Sequence, residues 1–233
     1  MEDEFELGKV LVFDKPLKWT SFDIVNKVRY LLRQYRGLKK IKVGHAGTLD
    51  PLATGVLIVC TGKKTKEITA FQAHDKEYIA TVRPGVTTPS YDLETEPDSQ
   101  TDVSQITENQ IKECLKSFLG KQLQYPPVYS AKKIDGKPAF ILAHKGRGDE
   151  IQMKPHEIEI YYLEISEFDN STKEFKLKVG CSKGTYIRSL AHDIGQKLGV
   201  GACLAGLIRT KIGSIDLKNA VTIENFEKKL SES

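Results

Sequence analysis

Asp50 stands inside Lys42–Lys64, a stretch with glycines at 44, 47 and 55 and a proline directly after the aspartate. A carboxylate held on a stiff loop can act as a nucleophile or move a proton. Glycine lets that loop turn tightly or approach another backbone, and Pro51 fixes its own φ while biasing Asp50 away from helix. The plain reading is equally physical: Asp before Pro opens a type I turn, and a lone loop histidine such as His45 is solvated or hydrogen-bonded. Two further side chains carry potential chemistry. Tyr78 is either a core aromatic or a ring that stacks on a base. Arg188 falls in the first turn of an expected helix, a poor place for a cation near the positive helix end, so it answers either an anionic partner or a surface salt bridge.

The elements that must hold these groups are legible from periodicity. Val56–Cys60 is a continuous apolar run of strand length, suited to burial on both faces. Val10–Phe13 reads as an earlier strand, ended by Asp14-Lys-Pro16. A helix follows with Thr20 or Ser21 as N-cap, Ile24, Val25, Val28, Leu31 and Leu32 on one face, and Gly37 at its end. Asp75–Val82 alternates as a half-buried strand with Tyr78 on the face of Ala80 and Val82. Residues 84–104 form an extended loop, and Thr107 opens a helix in the manner of a capping box, with Gly120 beyond its end. Ile158–Phe168 and Glu174–Cys181 pair across a turn at Asp169–Thr172. A helix carrying Leu190, Ala191, Ile194 and Leu198 runs to Gly199, and Gly206–Lys211 and Ile215–Leu217 are the last strands.

Composition excludes several classes. With 39% apolar and 28% charged residues the 233-residue chain is globular, and its length suits one domain, with or without an inserted lobe. A formal charge of +4 permits a nucleic-acid partner without requiring one. Cys60, Cys114, Cys181 and Cys203 form no C-x-x-C pair and read as free thiols in a reducing compartment. His45, His74, His144, His156 and His192 lack ligand spacing, so no metal is expected. The acidic start, Met1-Glu-Asp-Glu, is no signal peptide, and the apolar runs are too short to span a bilayer, which predicts a cytoplasmic protein. Gly62-Lys-Lys-Thr fails as a phosphate loop, because six residues separate Gly55 from Gly62 and Lys64 replaces the required Ser or Thr. Arg33, Arg36, Lys39, Lys40 and Lys42 make a basic cluster that is either a solvated face or a phosphate track. Tyr125, Tyr129, Lys132, Lys133, Lys137, His144, Lys145 and Arg147 fit an RNA-holding surface and a solvated loop equally.

The string Gly44-His-Ala-Gly-Thr-Leu-Asp-Pro-Leu-Ala-Thr-Gly55 closely resembles the catalytic signature of the TruB family, the tRNA pseudouridine-55 synthases. Asp14-Lys-Pro16, Asp75–Tyr78, Tyr129-Ser-Ala-Lys132, Cys181–Arg188 and Leu207-Ile-Arg209 extend the likeness in family order to about Leu217. The resemblance implies an α+β pseudouridine synthase fold: a mixed, largely antiparallel central sheet flanked by helices. It places an inserted RNA-gripping thumb at about 124–154, within a single catalytic domain over 1–233 and without a C-terminal PUA-type domain. It implies isomerisation of uridine 55 in the T-arm loop of tRNA, without cofactor or metal, by a cytoplasmic monomer that binds no membrane. Asp50 matches the nucleophile, Arg188 its arginine partner and Tyr78 the ring on the flipped base. Tyr186 and Leu207 match walls of the uracil pocket, His45 the filler of the vacated T-loop position, and Lys15 a supporting residue. The attack point, C6 of the base or C1′ of the ribose, stays open. Two alternatives remain: a guide-dependent relative acting on ribosomal RNA, and a tRNA-folding helper with secondary catalysis. This chain also departs from the family at Lys18, where glycine is common, and in Val86–Tyr91.

Overall fold

The computed structural model describes residues 3–232 apart from 131, 135, 144, 149 and 150. Of the residues named above, Met1, Glu2, Ala131 and His144 lie outside the described residues. In chain order the elements are α1 (Glu4–Leu7), β1 (Val10–Lys15), α2 (Ser21–Arg36), β2 (Val43–His45), β3 (Ala53–Thr61), α3 (Ile68–Gln72) and β4 (Lys76–Pro84). Then come β5 (Val86–Thr87), β6 (Ser99–Gln100), α4 (Glu108–Lys116), β7 (Gly120–Gln124), β8 (Lys133–Ile134), β9 (Lys137–Pro138) and α5 (Ala139–Ala143). The chain finishes with β10 (His156–Phe168), β11 (Phe175–Cys181), α6 (Ile187–Leu198), β12 (Ala202–Ile212), β13 (Ile215–Asp216) and α7 (Ile223–Ser231). The class is α+β, and the main sheet is mixed and largely antiparallel.

Two compact units divide the chain: Met1–Tyr78 with Leu207–Ser233, and Ile79–Gly206. In the first, β3 is the axis. Antiparallel β1 covers it from Val10↔Cys60 to Lys15↔Gly55, and β2 pairs with its end from Val43↔Thr61 to His45↔Val59. Parallel β12 covers its start, Leu207↔Ala53 to Arg209↔Gly55. All seven β3 residues from Gly55 to Thr61 are buried without alternation, the expected mark of a strand covered on both faces. α2 begins with a complete Thr20–Asp23 capping box and ends at left-handed Gly37. Its apolar face joins Phe13, Leu57 and Val59 and the buried side of α7 in one core cluster. Phe226 of α7 stands edge-on to Phe13 (5.3 Å, 90°) and Phe5 (6.2 Å, 86°). Burial of each such side chain contributes roughly 1.5–3 kcal/mol.

In the second unit the strand order is β4-β11-β10-β7, with β10 antiparallel to both of its neighbours. β7 begins at Gly120, past the end of α4, and follows a reversed pattern: Leu123 is exposed and Gln124 buried, so its apolar residue marks the wrong face. α4 is capped by a complete Thr107–Gln110 box, as expected. Within 124–154 the described residues include the small β8–β9 hairpin and α5. Cys60, Cys181 and Cys203 are buried free thiols and Cys114 is half-buried. Burial pushes Cys60 and Cys203 up to about 11, which leaves them unreactive at neutral pH.

Candidate active site

The loop between β2 and β3 carries Asp50, and each backbone carbonyl from Gly47 to Pro51 has a partner. Ser21, at the start of α2, takes the Leu49 N–H on its hydroxyl oxygen (2.8 Å) and donates that hydroxyl to the Leu49 carbonyl (3.1 Å). The Asp50 carbonyl accepts from Ala53 N–H at 3.0 Å, closing the turn that an Asp-Pro step prefers. The Pro51 carbonyl accepts from Lys18 N–H at 2.8 Å and lies 3.5 Å from Lys15 Nζ. Ahead of them, the Gly47 and Thr48 carbonyls accept from the Arg209 guanidinium at 3.1 and 3.3 Å. The Asp-Pro turn and the loop that presents the Asp50 side chain are therefore one structure on a tethered backbone.

Lys15 is fully buried, and its ammonium also donates to the carbonyls of Pro16 (2.9 Å) and Trp19 (2.5 Å). Burial pushes it down to about 8; the Asp50 carboxylate opposes that fall and the Arg209 charge adds to it. Asp14, the first residue of the same tripeptide, accepts from Gly55 N–H at 3.1 Å and so ties β1 to the far end of the loop. Lys18 has φ +67, so the turn keeps the left-handed conformation that suits glycine despite the lysine there. His45 ends β2, and burial, with Arg209 adding, holds its imidazole below the usual range. Leu207 sits abreast of Ala53, three residues past Asp50, and is half-buried. Tyr78 is 7% exposed on the buried face of β4, with Ala80 and Val82. Lys15, His45, Tyr78, Leu207 and Asp50 all belong to the first unit.

Tyr186 and Arg188 belong to the second. Gln124, 3% exposed, clamps the Tyr186 backbone through both ends of its amide: its carbonyl accepts from Tyr186 N–H (2.8 Å) and its NH2 donates to the Tyr186 carbonyl (3.0 Å). That clamp stands in for a side-chain N-cap, which α6 lacks. Arg188 is 4% exposed, donates to the carbonyls of Ser90 (3.0 Å) and Tyr129 (2.8 Å), and lies 3.6 Å from the Asp92 carboxylate. Those acceptors answer the unfavourable position of a cation in the first helical turn. Tyr91, at φ +63, stacks on His192 one turn along α6 (3.9 Å, 17°).

Three of these roles had no assignment from the sequence: Gln124, Ser21 and Arg209. The last carried a signal, since Leu207-Ile-Arg209 is one of the stretches that extend the family likeness. The sequence model of the TruB family pseudouridylate synthase N-terminal domain matches residues 33–187. The chain belongs to the TruB family. The tRNA pseudouridylate synthase B C-terminal domain matches residues 188–232, directly after it. Among relatives, the tRNA pseudouridine synthase B of Phocaeicola vulgatus is 53% identical over 98% of this chain and 95% of its own length. That of Flavobacterium johnsoniae is 50% identical over 98% of each. Among solved structures, the Cbf5-Nop10-Gar1 complex contains a chain 29% identical with a TM-score of 0.70. The match covers 96% of this chain and 54% of that one, so this chain spans about half of its length. The family fold inferred from the motif is thus the fold observed.

Proposed function

We propose that the protein isomerises uridine 55 in the T-arm loop of tRNA to pseudouridine, with Asp50 as the nucleophile. The carrying observation is Asp50 on a loop whose backbone is tethered from Gly47 to Pro51, in a chain of this family. The tRNA substrate is supported by relatives at 50–53% identity whose names specify it. The guide-dependent reading has weaker support, because the Cbf5 chain is 29% identical.

The reaction breaks the C1′–N1 bond, turns the uracil over and forms a C1′–C5 bond; C5 loses a proton and N1 gains one. Atoms balance within the nucleotide, so neither cofactor nor metal is required. A covalent adduct with the Asp50 carboxylate would divide the difficult exchange into two steps. The base must first leave its stack, at a cost of roughly a few kcal/mol. Tyr78, Tyr186, Leu207, His45, Lys15 and Arg188 take the roles that the resemblance assigns. In the first unit a cavity of about 280 Å³, lined by Lys40, Lys42, Lys63 and Lys66 with Glu6 and Thr65, offers cations for RNA phosphates.

The test is incubation of the protein with unmodified tRNA transcript alone, followed by mapping of pseudouridine nucleotide by nucleotide. Modification at U55 without any guide RNA is expected. A requirement for guide RNA, or modification only elsewhere, would overturn the assignment.

A further inference from the structure

Arg209 is 1% exposed, and among the described residues it forms no ion pair. Its acceptors are carbonyls. Nη2 donates to Gly47 (3.1 Å) and Nη1 to Thr48 (3.3 Å) at the entry of the Asp50 loop, while Nε donates to Val56 (2.8 Å) just past its exit. Burying a cation without a carboxylate is costly, and an apolar residue of similar size would ordinarily suit a strand core better. The three carbonyls supply the reason for an arginine. Gly47 and Gly55 have φ +99 and +101, so the loop turns sharply at both ends. A planar fork with donors fixed in one plane is the side chain that reaches both ends at once.

We propose that Arg209 is a positioning residue for the reaction. By clamping the entry and exit of the loop, its guanidinium sets the direction of the Asp50 carboxylate and so acts on the chemical step, not on RNA binding. This rests on the reading of Asp50 as the nucleophile. The backbone register puts Arg209 itself opposite Gly55 on β12, five residues from Asp50 along the neighbouring strand and loop. Its role is therefore indirect. Lysine at this position keeps the charge but loses the fork, and methionine loses both.

The test compares Arg209→Lys and Arg209→Met with the parent by single-turnover tritium release from tRNA carrying C5-labelled uridine, alongside tRNA binding and melting temperature. A displacement of about 1 Å at a reacting group can lower a rate by about 100-fold. We expect Arg209→Lys to lose at least about 10-fold in the single-turnover rate, with tRNA Kd within about twofold. Arg209→Met should lose more. Gly47→Ala disturbs the same contact from the loop side through its φ of +99, which a side chain strains, while its Cβ would meet Nη1 only in ordinary contact at 3.6 Å. The double variant Arg209→Lys, Gly47→Ala should therefore cost less than the two single losses combined. A parental rate in folded Arg209→Lys, or a loss seen wholly in Kd, would overturn the proposal. If both Arg209 variants fail to fold, a parental rate in Gly47→Ala overturns it. The two readings fail separately: no release by the parent sinks the nucleophile assignment, whereas an active parent, an inactive Asp50→Asn and a parental Arg209→Lys sink only this inference.

Discussion

Replacing Lys15 by methionine separates the cost of a buried ammonium from the value of the loop contact it makes. Lys15 has no exposed surface and is pushed from its ordinary 10.5 to about 8 by burial. That gap corresponds to about 3 kcal/mol at about 1.4 kcal/mol per pH unit. Its folded pKa is lower than its unfolded one, so between about 8 and 10.5 the unfolded chain holds the proton that the folded chain has released. Stability from this group therefore rises with pH across that window and is flat below it. Methionine has no such dependence. Near pH 7 the variant escapes the burial cost, but it leaves the Pro16 and Trp19 carbonyls without this donor, at ~1–3 kcal/mol each if they stay dry. The two contributions oppose, and the net change at pH 7 should be within about 2 kcal/mol. The assay is urea unfolding of both proteins at pH 6.5, 7.5, 8.5 and 9.5. The parent should gain about 2 kcal/mol on the variant between the two extremes, nearly all of it above pH 8. A difference that stays constant over the series would refute the reasoning.

Three other substitutions probe the same frame. Lys18→Gly relieves a left-handed residue worth about 1–2 kcal/mol but loosens the unfolded chain, so thermal melting should show a net gain of about 0.5 kcal/mol. Gly55→Ala puts a Cβ into the Arg209 backbone oxygen at φ +101, and chemical unfolding should register a loss of at least about 3 kcal/mol, or no folded protein. Gln124→Leu takes the Gln124 acceptor from the Tyr186 N–H and one of two donors from the Tyr186 carbonyl, which keeps Leu190 N–H at 3.1 Å, and should cost about 2 kcal/mol, read as a fall of roughly 5 °C in melting temperature.

Much of this frame was legible because local chemistry and tertiary burial agree. Thr20 and Asp23 cap α2 from within four residues, Gly37 ends it with the φ only glycine takes freely, and the apolar run of β3 shows its two covered faces. Asp50 could be singled out, yet its spacing fits a turn as well as a nucleophile. The long family motif, not periodicity, gave it a chemical role. What escaped depends on partners distant in sequence. Ser21 meets Leu49 across 28 residues, Gln124 meets Tyr186 across 62, and Arg209 meets Gly47 across 162. No window of the chain contains both members of such a pair. β7 escaped for another reason: its outward Leu123 and inward Gln124 invert the pattern by which an edge strand is recognised.

The most direct test of the account is the release of tritium from C5-labelled uridine in tRNA transcript by the parent and by Asp50→Asn. The variant keeps the size and the backbone tethers of the loop and removes only the nucleophilic carboxylate. Release by the parent at one uridine per tRNA, abolished in Asp50→Asn with binding intact, is the predicted result. Parental release by Asp50→Asn would contradict the claim that this carboxylate carries the chemistry.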